Sequence, residues 1–153
     1  MLSAGVRAPN FFLTSLSGRQ ESISELLGKA PILLAFYKAG CPVCQMTLPY
    51  LERLSGSSLP VIAVSQDDAA GTERFRQRFE LTIPALLDRE EDGYPASNAL
   101  GITNVPSLFL IEPDGAISMA GSGFRKADLE ALGQRAGVSI FRPEEKVPEW
   151  KAG

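Results

Sequence analysis

Residues 31–37 read PILLAFY, seven residues without a charge. The run is far short of the roughly 20 apolar residues a bilayer-spanning helix needs. It has no polar side to turn toward water, so it suits a strand buried on both faces. A strand of that kind sits at the centre of a sheet with a covering layer on either side. LPVIAVS, residues 59–65, has the same character and makes a second buried strand.

Between and around these two runs the spacing alternates. NFFLTSL (10–16), followed by Ser17-Gly18, reads as a first strand and turn, and SISELLG (22–28) as a short helix. Ser22 and Glu25 form a capping box, and Gly28 suits the stop. Apolar positions recur at helical intervals from Pro42 to Leu54 and again over 70–81, where Phe75 and Phe79 lie four apart. IPALLD (83–88) reads as a strand and YPASNALG (94–101) as a short helix. PSLFLIE (106–112) and AISMAG (116–121) form a hairpin across Pro113-Asp114-Gly115. A last helix covers 126–137. Strands alternating with helices predict an α/β chain, with a mainly parallel sheet covered on both faces and made mixed by the closing hairpin.

At 153 residues and 44% apolar, the expectation is one domain over 1–153, with a core over about 5–137 and a C-terminal tail over 138–153. Trp150 either anchors that tail or frays with it. Lys and Arg number 15 against 18 Asp and Glu, a net charge of −3, which argues against nucleic acid or an anionic membrane as the main partner. The acidic run DREED (88–92) reads as a solvated loop. MLSAGVRAPNFF has no basic segment leading into an apolar one, so the expected location is cytoplasmic, with a periplasmic or extracytoplasmic one as the alternative if the sequence is trimmed. Histidine is absent, which removes Ser-His-Asp and Cys-His catalysis and histidine metal ligands.

The two cysteines, Cys41 and Cys44, follow directly on the central strand. A zinc site wants four ligands, and here no second pair exists. A disulfide enclosing two residues adds little stability. Thiol exchange has a mechanism. Cys41 falls at or just before the start of the 42–54 helix, with Pro42 suited to the first helical position. Unpaired N–H groups and the helix dipole favour a thiolate there, and the positive charge of Lys38 adds to the effect. Cys44, one turn further on, is less exposed. Cys41 is then the nucleophile, and Cys44 the thiol that resolves the mixed disulfide. The redox-active disulfide serves in place of any cofactor, and no metal is expected.

The chain as a whole resembles the thioredoxin fold, a three-layer α/β/α sandwich around a central mixed β-sheet. More narrowly, it resembles the TlpA/ResA-like thiol–disulfide oxidoreductases of the AhpC/TSA superfamily. The residues that carry this are GVRAPNFFLTSLSGR, ILLAFYKAGCPVC, Pro49 in the active-site helix, and NVPSLFLIEPDG over 104–115. The resemblance implies a cis bond before Pro106 beside the cysteines. It also implies a substrate strand laid on the Val105 backbone, and a binding rim of Gly40, Pro42 and Val43. Substrates would be protein or small-molecule disulfides, with a separate electron donor and a monomeric chain.

The chain departs from the family at three positions. Ala35 stands where thioredoxins carry a buried Asp, Thr47 where ResA-like proteins carry Glu, and Gly40 where the family carries Trp. Water, the Thr47 hydroxyl or Asp67 is left to take the proton of Cys44. A peroxiredoxin-like thiol peroxidase, with Cys44 or Cys41 as the peroxidatic thiol, is the alternative activity, and a redox-sensing binding module is another.

Overall fold

The computed structural model describes residues 1–153. Seven strands form one sheet: β1 (Phe12–Thr14), β2 (Gln20–Ser22), β3 (Ile32–Tyr37), β4 (Val61–Ser65), β5 (Ala85–Leu87), β6 (Ser107–Ile111) and β7 (Ile117–Ser122), in the order β2-β1-β5-β4-β3-β6-β7. β3, β4 and β5 run parallel, and β6 returns antiparallel beside β3, with Ala35 opposite both Ala63 and Leu108. The helices are α1 (Ile23–Leu26), α2 (Pro42–Glu52), α3 (Ala69–Arg78), α4 (Pro95–Leu100) and α5 (Lys126–Ala136). A short ribbon pairs β8 (Phe124–Arg125) with β9 (Trp150–Lys151). This is the thioredoxin-like sandwich.

The continuous apolar run of β3 is explained by its two faces. Leu33, Ala35 and Tyr37 join one core with Leu48 and Leu51 of α2, Phe75 of α3, and Leu129 and Leu132 of α5. Ile32, Leu34 and Phe36 join the other with Ile23 of α1 and Ala96 and Leu100 of α4. Side chains alternate across a strand, so each face receives every second residue. Burying a side chain of this size stabilises the fold by about 1.5–3 kcal/mol. β3, β4 and β5 are linked through α2 and α3 on one face. The chain then crosses back through α4 on the other face to place β6 on the far side of β3. The order of strands therefore reverses at β3, which opens a crevice at its C-terminal end.

Several elements are shorter than the pattern predicts. The capping box at Ser22 and Glu25 forms, yet α1 holds one turn. α3 stops at Arg78, because Glu80 takes a left-handed conformation and turns the chain toward Leu81. The hairpin after β6 turns through Gly115 at φ 89°, a conformation that glycine adopts without strain. The C-terminal segment is tied down. Ile140 is buried with the α2 core, Arg53 makes a two-pronged ion pair with Glu145, and β9 pairs with β8. Trp150 is 61% exposed, so the backbone of β9, and not the indole, fastens the end.

Candidate active site

Tyr37 ends β3, and Lys38-Ala39-Gly40 turns the chain into α2. Cys41 is the N-cap of that helix, in an extended conformation, and Pro42 takes the first helical position, where no N–H is needed. The cap is made by sulfur: Cys41 Sγ accepts a hydrogen bond from the Cys44 N–H at 3.1 Å. Negative charge on that sulfur meets an N–H and the positive end of an eleven-residue helix. Cys41 is half-buried and Cys44 fully buried, and both are free thiols. The buried Leu48 and Leu51 hold α2, and therefore both sulfurs, against the sheet.

Across the crevice, the Val105–Pro106 peptide bond is cis. The Cys41 thiol donates to Val105 O at 3.5 Å, joining residues 64 apart in sequence. Pro106 is buried and Val105 half-buried. The end of the chain also reaches this loop: Gly153 packs so closely on Val105 O that a Cβ there has no room. Gly40 is exposed, with open space where its side chain would be, so the rim beside Cys41 is unobstructed. Pro42 is exposed and Val43 half-buried on the same rim.

Burial pushes the Cys44 thiol up. A hydrogen bond with Cys41 and the charges of Cys41 and Asp67 push the same way, and a backbone hydrogen bond with Lys38 opposes them. Asp67 follows β4, and its Oδ2 accepts from the Ala39 N–H at 2.7 Å, pinning the active-site loop. Thr47 is buried, and its hydroxyl donates to Val43 O at 2.7 Å, so its proton is committed within α2. The Lys38 side chain is exposed.

Three features escaped the sequence reading. Gln45 Nε2 donates to Ala39 O at 2.8 Å and braces the loop from the helix side. Tyr37 lies wholly inside, and its hydroxyl is near Ser65 but has no hydrogen-bond partner; burial pushes it up to about 12. Asp88, which looked like part of a solvated loop, is buried and accepts from the Ala96 and Ser97 N–H groups at the start of α4. Nothing in the hydrophobic spacing marks these residues; the Gln45 and Asp88 contacts are made within one loop-and-helix segment each, six to nine residues apart. No cluster of three or more Cys, Asp or Glu side chains is arranged to hold a metal ion.

The AhpC/TSA family model matches residues 4–120. The thiol–disulfide oxidoreductase ResA of Geobacillus kaustophilus is 30% identical over 135 residues, covering 84% of this chain and 75% of the relative. The thioredoxin domain of a thiol–disulfide oxidoreductase from Bacteroides vulgatus superposes with a TM-score of 0.75 at 21% identity, covering 88% of this chain and 98% of that one. A DsbE-type thiol:disulfide interchange protein from Chlorobium tepidum gives 0.73 at 24% identity, covering 88% and 96%. These relatives correct the expected cytoplasmic location. ResA and DsbE proteins are extracytoplasmic, and a further structural neighbour is described as a secreted disulfide oxidoreductase. The cytoplasmic reading rested on the lack of a basic-to-apolar segment in the first dozen residues.

Proposed function

The chain belongs to the AhpC/TSA family, in its ResA-like branch of thiol–disulfide oxidoreductases, and on that premise we propose how the Cys41–Cys44 pair divides the exchange reaction. The Cys41 thiolate attacks one sulfur of a substrate disulfide. The substrate S–S bond breaks, a mixed disulfide forms on Cys41, and the first substrate thiol leaves. The Cys44 thiolate then attacks Cys41 Sγ, closing the 41–44 disulfide and releasing the second thiol. Two electrons pass from the protein to the substrate, which makes the protein a disulfide reductase. A dithiol donor restores the pair.

One observation carries this assignment: the half-buried Cys41 sulfur faces Val105 O and receives a helix N–H, while Cys44 lies wholly beneath it. The Val105 backbone, before the cis bond to Pro106, receives the substrate as an added strand, and Gly40, Pro42 and Val43 form its rim. Asp67 takes the proton of Cys44. It is the carboxylate whose charge is felt at Cys44, and it also lines an open groove through which a proton can leave. Thr47 lacks the charge for that step, and its hydroxyl is committed to Val43 O. The peroxidase alternative with Cys44 as the peroxidatic thiol fits poorly, since a thiol so buried is shielded from peroxide and holds its proton.

The test is trapping. Reduced C44S treated with a disulfide substrate should accumulate a mixed disulfide on Cys41, read by mass spectrometry, and C41S should accumulate none. The reverse pattern exchanges the two roles. D67N should slow the second step below neutral pH. An accelerated second step would mean that Asp67 acts only as a charge that holds the proton on Cys44.

A further inference from the structure

Two cavities adjoin the active-site loop. The larger, about 940 Å³, lies between α3, the segment after β5 and Lys38-Ala39. The smaller, about 240 Å³, reaches Val105. Lys38, Gln66 and Tyr94 line both, so the two form one trench. It starts at Val105, the residue whose carbonyl accepts from the Cys41 thiol, and runs away along α3. The larger cavity falls in the range of about 300–1,000 Å³ usual for small-molecule sites.

The charges along the trench are unevenly satisfied. Arg89 is paired with Glu91 and Asp92. Lys38, Arg74 and Arg78 line the trench with no ion-pair partner. Among the anions, Asp67 and Asp68 are occupied by the Ala39 and Gly71 N–H groups, and Glu91 by Arg89. Glu90 has no partner, at the far wall. The lining therefore carries mixed charge: Lys38, Arg74 and Arg78 without an ion-pair partner, Glu90 on the far wall, and Asp67 and Asp68, which keep their negative charge while accepting backbone N–H groups.

The wall at Tyr94 is built, not incidental. Tyr94 sits at φ 51° and ψ 56°, left-handed for a residue with a bulky side chain. Such a conformation persists only where the surroundings enforce it. Here the enforcement is the buried Asp88, which binds the Ala96 and Ser97 N–H groups immediately after Tyr94, together with Asn98, whose amide donates to Gly93 O at 2.6 Å. The strain holds Tyr94 at the junction of the two cavities.

We propose that this trench binds a low-molecular-weight disulfide of a zwitterionic, carboxylate-bearing thiol. Its carboxylates lie on Lys38, Arg74 and Arg78, its ammonium group faces Glu90, and its S–S bond is presented to Cys41. The inference rests on the exchange reaction above and names a substrate class for it. The chemistry is that reaction: Cys41 attacks, one small thiol leaves, Cys44 displaces the second, and the 41–44 disulfide forms.

The experiment follows oxidation of the pre-reduced chain in single turnover by three probes: oxidised glutathione, cystamine and hydroxyethyl disulfide. Each rate is divided by that probe's rate with free dithiothreitol, to remove intrinsic reactivity. Oxidised glutathione should be the fastest on this scale. The R74Q/R78Q double variant should lose about tenfold toward it, the scale of electrostatic steering. Hydroxyethyl disulfide should be unaffected and cystamine should gain. Added salt should reproduce the loss in the unmodified protein, a readout that does not depend on how the variant folds. An equal loss toward the neutral probe, or no loss toward glutathione, overturns the trench. Failure of hydroxyethyl disulfide to oxidise the pair at all would instead overturn the exchange reading.

Discussion

Asp88→Ala should cost more than any other single change to a carboxylate in this protein. Asp88 is 1% exposed, and its Oδ1 and Oδ2 accept from the Ala96 N–H at 3.0 Å and the Ser97 N–H at 2.8 Å. Both donors belong to the first turn of α4 and have no partner within the helix. Truncation leaves them buried and unpaired, at about 1.5 kcal/mol each on a range of about 1–3. Losing a negative charge at a helix N-terminus adds about 0.5 kcal/mol. The Ser97 hydroxyl can turn to another acceptor and is left out of the sum. The total is about 3.5 kcal/mol, or roughly 10 °C in Tm for a chain of this length. Asp88→Asn keeps one acceptor and should lose about half as much. Urea unfolding at pH 7 measures this as a shift in midpoint at unchanged slope. A loss below about 1 kcal/mol for the alanine variant would mean that water replaces the carboxylate at no cost. In that case Asp88 would not be what holds α4 and Tyr94.

Three further outcomes follow from the site and the C-terminal segment. Tyr37→Phe should leave stability within about 1 kcal/mol of the parent, or raise it, because the buried hydroxyl has no hydrogen bond to lose; a loss above that in urea unfolding would show that the hydroxyl is paired. The second step of exchange should accelerate with pH through the alkaline range, because burial pushes the Cys44 thiol up and only its thiolate attacks; stopped-flow decay of the mixed disulfide that is flat above neutral pH would contradict this. Arg53 holds the Glu145 carboxyl down to about 2, from an ordinary value of 4.5. A depressed carboxylate stabilises the fold above its ordinary value, and that contribution is lost as pH falls through about 2. Residues 138–153 should therefore gain hydrogen exchange between about pH 4.5 and 2 before the sheet does, and Arg53→Met should remove that pH dependence.

Much of the fold was legible because it is local. PILLAFY lacks a polar face, so β3 had to be central. Ser22 and Glu25 are three apart, so the cap forms wherever the helix goes. The sulfur at the N-cap was legible too, since Pro42 and the helical spacing behind it settle where α2 begins. The closing hairpin followed from Pro113-Asp114-Gly115. The lengths were less legible: α1 and α3 end early because tertiary packing, and not propensity, decides how far a helix continues.

The site was legible only in part. The pairing of Cys41 with Val105 came from family likeness, since no local pattern links residues 64 apart. The acidic run 88–92 misled, because composition averages over a buried Asp88 and exposed neighbours. Location was misread from the first dozen residues, which the fold itself uses: Phe11 is buried in the core, and the Leu2 and Gly5 N–H groups donate to Leu100 O and Ile117 O.

The sequence by itself determined the elements and the chemistry at hand: two buried central strands, a thiol pair at a helix start, and no histidine to assist it. These depend on neighbours a few residues away. The tertiary structure decided which sulfur is reachable, which carboxylate stands near the buried one, and where unpaired cations line a trench. Those properties depend on burial and on distances across the reversal of strand order at β3, and neither exists until the chain has closed.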